Sequence, residues 1–173
     1  MRVVGGSARG RRLRSPTGRT VRPTSDRARE AIFNSLGSLG AVEGARVVDL
    51  FAGTGALGIE ALSRGAAAAT FVERDRAVAA IIRENLATLG FEGEVVVADA
   101  RAQVGRLGRV DVAFVDPPYE FQEWEQLLAD LDAAVAVLES DRELAVGDGW
   151  QVLRVKRYGD TVVTLAQQAP AQT

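Results

Sequence analysis

"DLFAGTGALG", residues 49–58, places Gly53, Gly55 and Gly58 directly behind the apolar run "ARVVDLF". The spacing G-x-G-x-x-G is that of a strand turning sharply into a helix, with backbone brought close to a nucleotide. Glu73 stands 20 residues past Gly53 and closes the next apolar run, "AATFVE". An acid at that position meets ribose hydroxyls. The pattern is common to nicotinamide, flavin and S-adenosylmethionine enzymes, and its plain alternative is glycines that serve only tight strand–helix packing. Two features favour S-adenosylmethionine. Asp49 lies four residues before Gly53, where a carboxylate crowds a pyrophosphate but suits a cationic amine. Beyond Gly58 the sheet itself consumes most of the chain, which leaves no second substrate domain for a dehydrogenase.

Outward from this loop the chain alternates. "GALGIEALSRG" and "DRAVAAIIRENLATLG" read as helices closed by Gly65 and Gly90, and "EVVVAD" and "VDVAFVD" as buried strands with a short helix in "ARAQVGRLG" between them. Apolar strands alternating with helices predict a mostly parallel, doubly wound α/β sheet. "QEWEQLLADL" is helical and "AAVAVLES" strand-like; "ELAVGDGW" is weak as a helix, and residues 120–150 carry no firm register. "WQVLRVKRYGDTVVTLAQ" predicts an antiparallel hairpin turning at Tyr158–Gly159–Asp160. Before the sheet, "RPTSDRAREAIFNSL" predicts a helix capped by Thr24, Ser25 or Asp26, with Ala28, Ala31, Ile32 and Leu36 on one face. "MRVVGGSARGRRLRSP" predicts two short strands around Gly5–Gly6. One domain is expected over residues 1–173: a basic hairpin or arm, 1–22, and an α/β body, 23–173.

Asp49, Glu73, Asp99 and Asp116 each end a successive predicted strand. Parallel sheets bind ligands beyond the carboxyl ends of their strands, so the four acids converge on one rim. The last strand ends in "FVDPPYEF", residues 114–121. The prolines stiffen the backbone and leave carbonyls as acceptors, and Tyr119 adds a flat ring. An exocyclic base amine is a poor nucleophile because its lone pair is delocalised into the ring. Asp116 and the Pro117 carbonyl, each accepting one amine hydrogen, would turn that lone pair out of the ring plane, while Tyr119 stacks on the flipped base.

The composition agrees. The 173 residues include no Cys and no His, which excludes disulfides, thiolate or imidazole metal sites, cysteine nucleophiles and the usual general base. No apolar run approaches the ~20 residues of a membrane span. A cytoplasmic protein without a metal is expected. Residues 1–30 hold nine Arg, Arg9, Arg11, Arg12, Arg14, Arg22, Arg27 and Arg29 among them, against Asp26 and Glu30; this balance of +7 leaves −9 for the rest. Arginine suits bidentate phosphate contacts, so the basic segment points to nucleic acid; a solvated tail is the bland alternative.

"DPPY" after "DLFAGTG" resembles the amino-methyltransferases of nucleic-acid bases. Together with "MRVVGGSARGRRL", "RPTSDRAREAIFNSL" and "DLFAGTGALGIEALSRGA", it resembles the bacterial 16S ribosomal RNA guanine-N2 methyltransferase family, the RsmD family. The resemblance implies a Rossmann-like methyltransferase fold with an antiparallel C-terminal element. It also implies methyl transfer from S-adenosylmethionine to a guanine N2 of small-subunit rRNA, by a chain expected to be a monomer without a metal or a membrane partner. Carried onto this chain, the cofactor residues are Thr24, Asp49, Phe51, Ala52, Gly53, Gly55, Ala56, Leu57, Glu73, Arg74, Asp99 and Ala100, and the catalytic ones Asp116, Pro117, Pro118 and Tyr119. The competing expectations are the same chemistry on another RNA or a DNA adenine N6, a nicotinamide oxidoreductase, and a non-catalytic RNA-binding assembly module.

Overall fold

The computed structural model describes residues 1–18 and 24–170. The apolar runs form one seven-stranded sheet: β1 (Arg46–Leu50), β2 (Ala68–Glu73), β3 (Glu94–Val97), β4 (Val110–Val115), β5 (Ala133–Ser140), β6 (Trp150–Tyr158) and β7 (Thr161–Gln168). Their order is β3-β2-β1-β4-β5-β7-β6. β1 to β5 are parallel to their neighbours, whereas β7 runs antiparallel to β5 and β6 antiparallel to β7. The reversal of strand order between β1 and β4 opens a crevice at their carboxyl ends, the place where such sheets take ligands. The predicted fold class is therefore the observed one.

Helices cover both faces. On one side α1 (Asp26–Ser38), α2 (Ala56–Ser63) and α3 (Arg76–Leu89) bury Ile32, Phe33, Leu36, Leu57, Ile82 and Leu86 against the sheet. On the other, α4 (Ala100–Gln103), a 3-10 turn (Val104–Arg106) and α5 (Trp124–Asp130) bury Val104, Trp124, Leu127 and Leu128. Local capping explains where the helices begin. The Ser25 hydroxyl accepts from Ala28 N at the start of α1, and the Asp75 carboxylate accepts from Ala77 N and Val78 N at the start of α3. "ELAVGDGW" is not helical. Among the described residues no helix is long and apolar enough to cross a membrane.

The basic N-terminal segment is docked rather than free. Instead of two strands it makes a single antiparallel bridge, Arg2 to Arg12, and buries Val3, Ala8 and Leu13. Val4 N and Gly5 N donate to the Glu60 carboxylate of α2 at 2.9 and 2.7 Å. Ala8 N donates to Ser63 Oγ at 2.9 Å, and Arg14 N to Asn85 Oδ1 of α3 at 2.8 Å. At Gly6 the backbone has φ 77° and a Cβ would lie 1.9 Å from the Ser63 carbonyl oxygen, so only glycine permits this contact.

Candidate active site

The carboxyl ends of the strands carry the chemistry. β1 leaves the sheet through Phe51, whose φ of 60° is the one positive value at a described residue other than glycine. Backbone held in this sparsely populated region tends to mark a functional turn. Gly53 and Gly55 follow, also left-handed, and Gly55 caps α2. Gly58 acts differently. A Cβ there would stand 2.4 Å from Phe71 Cε1, so its absence lets α2 lie close on β2. The third glycine of the fingerprint is thus a packing residue.

Glu73, at the end of β2, is half-buried and faces this turn. Its Oε2 accepts from Gly53 N and its Oε1 from Asp75 N, each at 2.9 Å. Both oxygens retain a second lone pair for a ligand hydroxyl. Arg74, beside it, is exposed. At the end of β3, Asp99 caps α4 by accepting from Arg101 N, and the Arg101 guanidinium grips the same carboxylate. That pairing holds the Asp99 carboxyl below the usual carboxylate range. Ala100 starts α4, and its N–H has no hydrogen-bond partner among the described residues. Ala52 and Leu57 are buried, and the N–H of Ala52 donates to the Val72 carbonyl at 3.0 Å. These two can serve a ligand only through main-chain atoms. Ala56, the first residue of α2, is half-buried.

Three acids gather across β1, β4 and β5. Asp49 is 2% exposed, and its Oδ2 accepts from Gly58 N at 2.9 Å. Burial pushes its carboxyl up to about 8, partly offset by that N–H, with repulsion from Glu139 and Glu73 adding to the rise. Asp116 follows β4 and is held well above the usual range by burial, then by Glu139 and Asp49. Glu139, near the end of β5, is buried and pushed up to about 7 by desolvation. The Thr24 hydroxyl, 2.8 and 2.9 Å from its two oxygens, and the Arg29 charge both oppose that rise. Glu139 escapes the sequence reading, although the rule applied to four strand ends would have flagged a fifth acid ending "AAVAVLES".

Arg29 is a correction. Its place in the basic segment assigns it to RNA, but it is fully buried, donating Nη2 to the Arg2 carbonyl at 2.7 Å and pairing with Asp26. Its Nε and Nη1 are buried without hydrogen-bond partners among the described residues, and its charge acts on Glu139. Helical spacing puts it among the buried Ala28, Ile32 and Phe33, out of reach of a phosphate. Arg27 is exposed. Arg9, Arg11, Arg12 and Arg14 are also exposed, although Arg11 donates to the Thr88 carbonyl and Arg14 pairs with Glu84. Arg22 lies outside the described residues.

The Asp116–Tyr119 loop sits over this cluster. The Pro118 carbonyl closes a turn by accepting from Phe121 N at 2.9 Å, whereas the Pro117 carbonyl accepts no hydrogen bond among the described residues. The Tyr119 hydroxyl lies 3.2 Å from Thr161 Oγ1, tying the loop to the β6–β7 hairpin. Phe51, Phe121 and Trp124 stack edge to face beneath it, with successive ring centroids 5.3 Å apart. Among the described residues no group of three or more His, Cys, Asp or Glu is arranged to hold a metal ion.

A mostly parallel sheet in this strand order, with a glycine turn after its first strand and an antiparallel C-terminal pair, is the fold of the S-adenosylmethionine-dependent methyltransferases. Comparison with known proteins narrows the class. The chain belongs to the family described as conserved hypothetical protein 95, matched over residues 1–167, which is that of the ribosomal RNA small subunit methyltransferase D of Escherichia coli. With that relative it is 39% identical over 180 residues, covering 97% of this chain and 90% of the other. The solved structure of YhhF from Escherichia coli superposes with a TM-score of 0.86 at 38% identity, covering 97% of both chains. A more distant structure, SMU.776 complexed with SAH, shares the fold alone: its TM-score is 0.65 at 16% identity, covering 82% of this chain and 48% of that one.

Proposed function

We propose that this methyltransferase moves a methyl group from S-adenosylmethionine to the exocyclic N2 of a guanine in 16S rRNA. The observation that carries the reading is the pair of acceptors at the β4 end, the Asp116 carboxyl and the Pro117 carbonyl, which accepts no hydrogen bond among the described residues, beside a glycine turn. The relative named a ribosomal RNA small subunit methyltransferase supports the substrate class, and SAH in the structural neighbour supports the donor.

The residues present fit the donor. Space is open at Gly53, where a Cβ would meet nothing within 4 Å. The spare lone pairs of Glu73 suit two vicinal hydroxyls, and the Ala100 N–H, without a partner among the described residues, suits a ring nitrogen of adenine. When bound, S-adenosylmethionine supplies an electrophilic methyl group on a sulfonium. The protein's own part is to present the amine. Asp116 and the Pro117 carbonyl each accept one amine hydrogen, drawing the nitrogen towards tetrahedral geometry with its lone pair free of the ring. Tyr119, held by Thr161, supplies the stacking face. With the methyl donated by bound S-adenosylmethionine, the amine nitrogen would carry a positive charge and would have to lose a proton. An ionised Asp116, its proton affinity raised by burial, Glu139 and Asp49, would be a competent acceptor for that proton. Positioning of this kind lowers barriers by ~7–11 kcal/mol at its best.

The test is single-turnover methyl transfer to assembled small subunits at saturating cofactor, with mapping of the modified nucleotide. N2-methylguanine is expected. Activity should fall in the order wild type, Asp116→Asn, Asp116→Ala, with the alanine variant down by at least ~100-fold. Methylation of adenine N6 would refute the base assignment, and a near-wild-type rate for Asp116→Ala would make the carboxyl a structural cap.

A further inference from the structure

The groove between α1 and the β6–β7 hairpin combines position and charge in a way the site itself does not use. Its floor is the apolar group Ile32, Val137, Val163 and Leu165, and its wall on β6 is Arg154, Lys156 and Tyr158. Among the described residues no carboxylate lines it. Strand alternation puts Arg154, Lys156 and Tyr158 on the same face of β6, while Arg157 points to the opposite face. Arg154 and Lys156 are exposed and make no ion pair among the described residues; Arg154 only donates to Ser35 Oγ at 3.2 Å, and the Lys156 ammonium rests 5.3 Å from the centroid of the Tyr158 ring. Across the groove, Ala31 and Ser35 of α1 face in, and the exposed Arg27 precedes Ala31 by one helical turn on the same side. Beyond its first 30 residues the chain carries an excess of nine negative charges, so unpaired cations grouped without acids are not an average surface.

The groove also leads somewhere. Tyr158 pairs with Thr161 in the hairpin turn, and Thr161 Oγ1 lies 3.2 Å from the Tyr119 hydroxyl. β5 ends beside the start of β7, with Ser140 paired to Val162, so this turn stands on the same rim as Asp116 and Glu139. A polyanion lying in the groove would enter the mouth next to the Asp116–Tyr119 loop.

We propose that the α1–β6 groove binds the single-stranded rRNA flanking the target base, with Arg27, Arg154 and Lys156 on successive phosphates and Tyr158 as a stacking face. This rests on the rRNA reading above and adds the path of the strand to it. Three released counterion contacts on a single strand correspond to about two units of slope in log K against log salt, at ~0.7 per phosphate. The basic segment at residues 9–14 lies against α2 and α3, so the groove is a separate contact surface.

The test compares wild type, the Arg27→Ala/Arg154→Ala/Lys156→Ala triple variant and Arg157→Ala. Small subunits and a fluorescent single-stranded fragment of their rRNA serve as ligands, with binding titrated against salt and steady-state methylation measured beside it. The triple variant should lose about two units of salt slope and raise KM for RNA roughly tenfold or more, with kcat, cofactor affinity and melting temperature unchanged. Arg157→Ala, on the other face, should change neither the slope nor KM. Tyr158→Ala should raise KM by about five- to a hundredfold, the value of one base stack. An unchanged slope and KM in the triple variant, or equal losses from Arg157→Ala, would overturn the groove while leaving an rRNA methyltransferase intact. A wild-type protein that methylates no rRNA would instead overturn the underlying reading.

Discussion

Asp49→Asn should make this protein more stable at neutral and alkaline pH. The folded chain holds the Asp49 carboxyl up to about 8, against an ordinary value of 3.8. A group whose folded value lies above its unfolded one stabilises the fold fully below the unfolded value, and that contribution is lost as pH rises through the folded one. Between the two, the folded state carries one more proton than the unfolded state, and stability falls by about 1.4 kcal/mol per pH unit. Asparagine keeps the shape and the acceptor for Gly58 N but cannot ionise. The variant's advantage over wild type should therefore grow by about 4 kcal/mol from about pH 5 to about pH 8, good to roughly one pH unit's worth. Urea titrations at a series of pH values measure this directly, because linear extrapolation gives the unfolding free energy at each. Glu139, raised from 4.5 to about 7, and Asp116, held well above the usual range, bend both curves, and because Glu139 repels Asp49 and Asp49 repels Asp116, the difference also carries the relief of those repulsions. Parallel pH–stability curves for the two proteins would refute the reasoning, since they would mean that Asp49 is ionised at no cost inside the fold. A residue that weakens the fold at working pH is one whose value lies in the site.

Gly58→Ala should cost about 1–3 kcal/mol in thermal or urea unfolding, because its Cβ would stand 2.4 Å from the Phe71 ring and force α2 off the sheet; an unchanged midpoint would show that Phe71 has room to turn. Glu73→Ala should weaken S-adenosylmethionine binding by on the order of 1.5–3 kcal/mol in calorimetric titration, through loss of charge-assisted hydrogen bonds. Unaltered affinity would remove Glu73 from the ligand's contacts.

The parallel part of the sheet was legible because β1 to β5 are largely apolar runs with an acid at or near each carboxyl end, and the polar, exposed β6 was legible only through its hairpin turn at Gly159. Asp49, Glu73 and Asp116 were legible for the same reason: a strand end is a sequence-local feature, and the fold brings these ends to one rim. Glu139 was open to the same rule, since it stands near the end of "AAVAVLES", and was passed over because its importance comes from Asp49 and Asp116 lying near it in space. Arg29 misled for the opposite reason. Its neighbours in sequence are other arginines, whereas its neighbours along the helix face are Ile32 and Phe33. The docking of the first residues was invisible because their partners, Glu60, Ser63 and Asn85, are 55 to 71 positions away and look like ordinary helical polar residues. Competition between local pattern and distant pairing explains each miss.

That docking carries a consequence for how the chain is made. Residues 3–14 emerge from the ribosome before α2 and α3, yet the carboxylate, hydroxyl and amide that hold them belong to those helices. A nascent chain that ends before α2 therefore has its arginines extruded with nowhere to settle; Val4, Gly5 and Ala8 can be seated once α2 exists, and Arg14 only after the helix carrying Asn85 has been synthesised. Translation runs from the amino end, but this segment waits on structure made later. An affinity tag ahead of Met1 would burden the segment that must find its seat late, so a C-terminal tag is the safer choice for producing the protein.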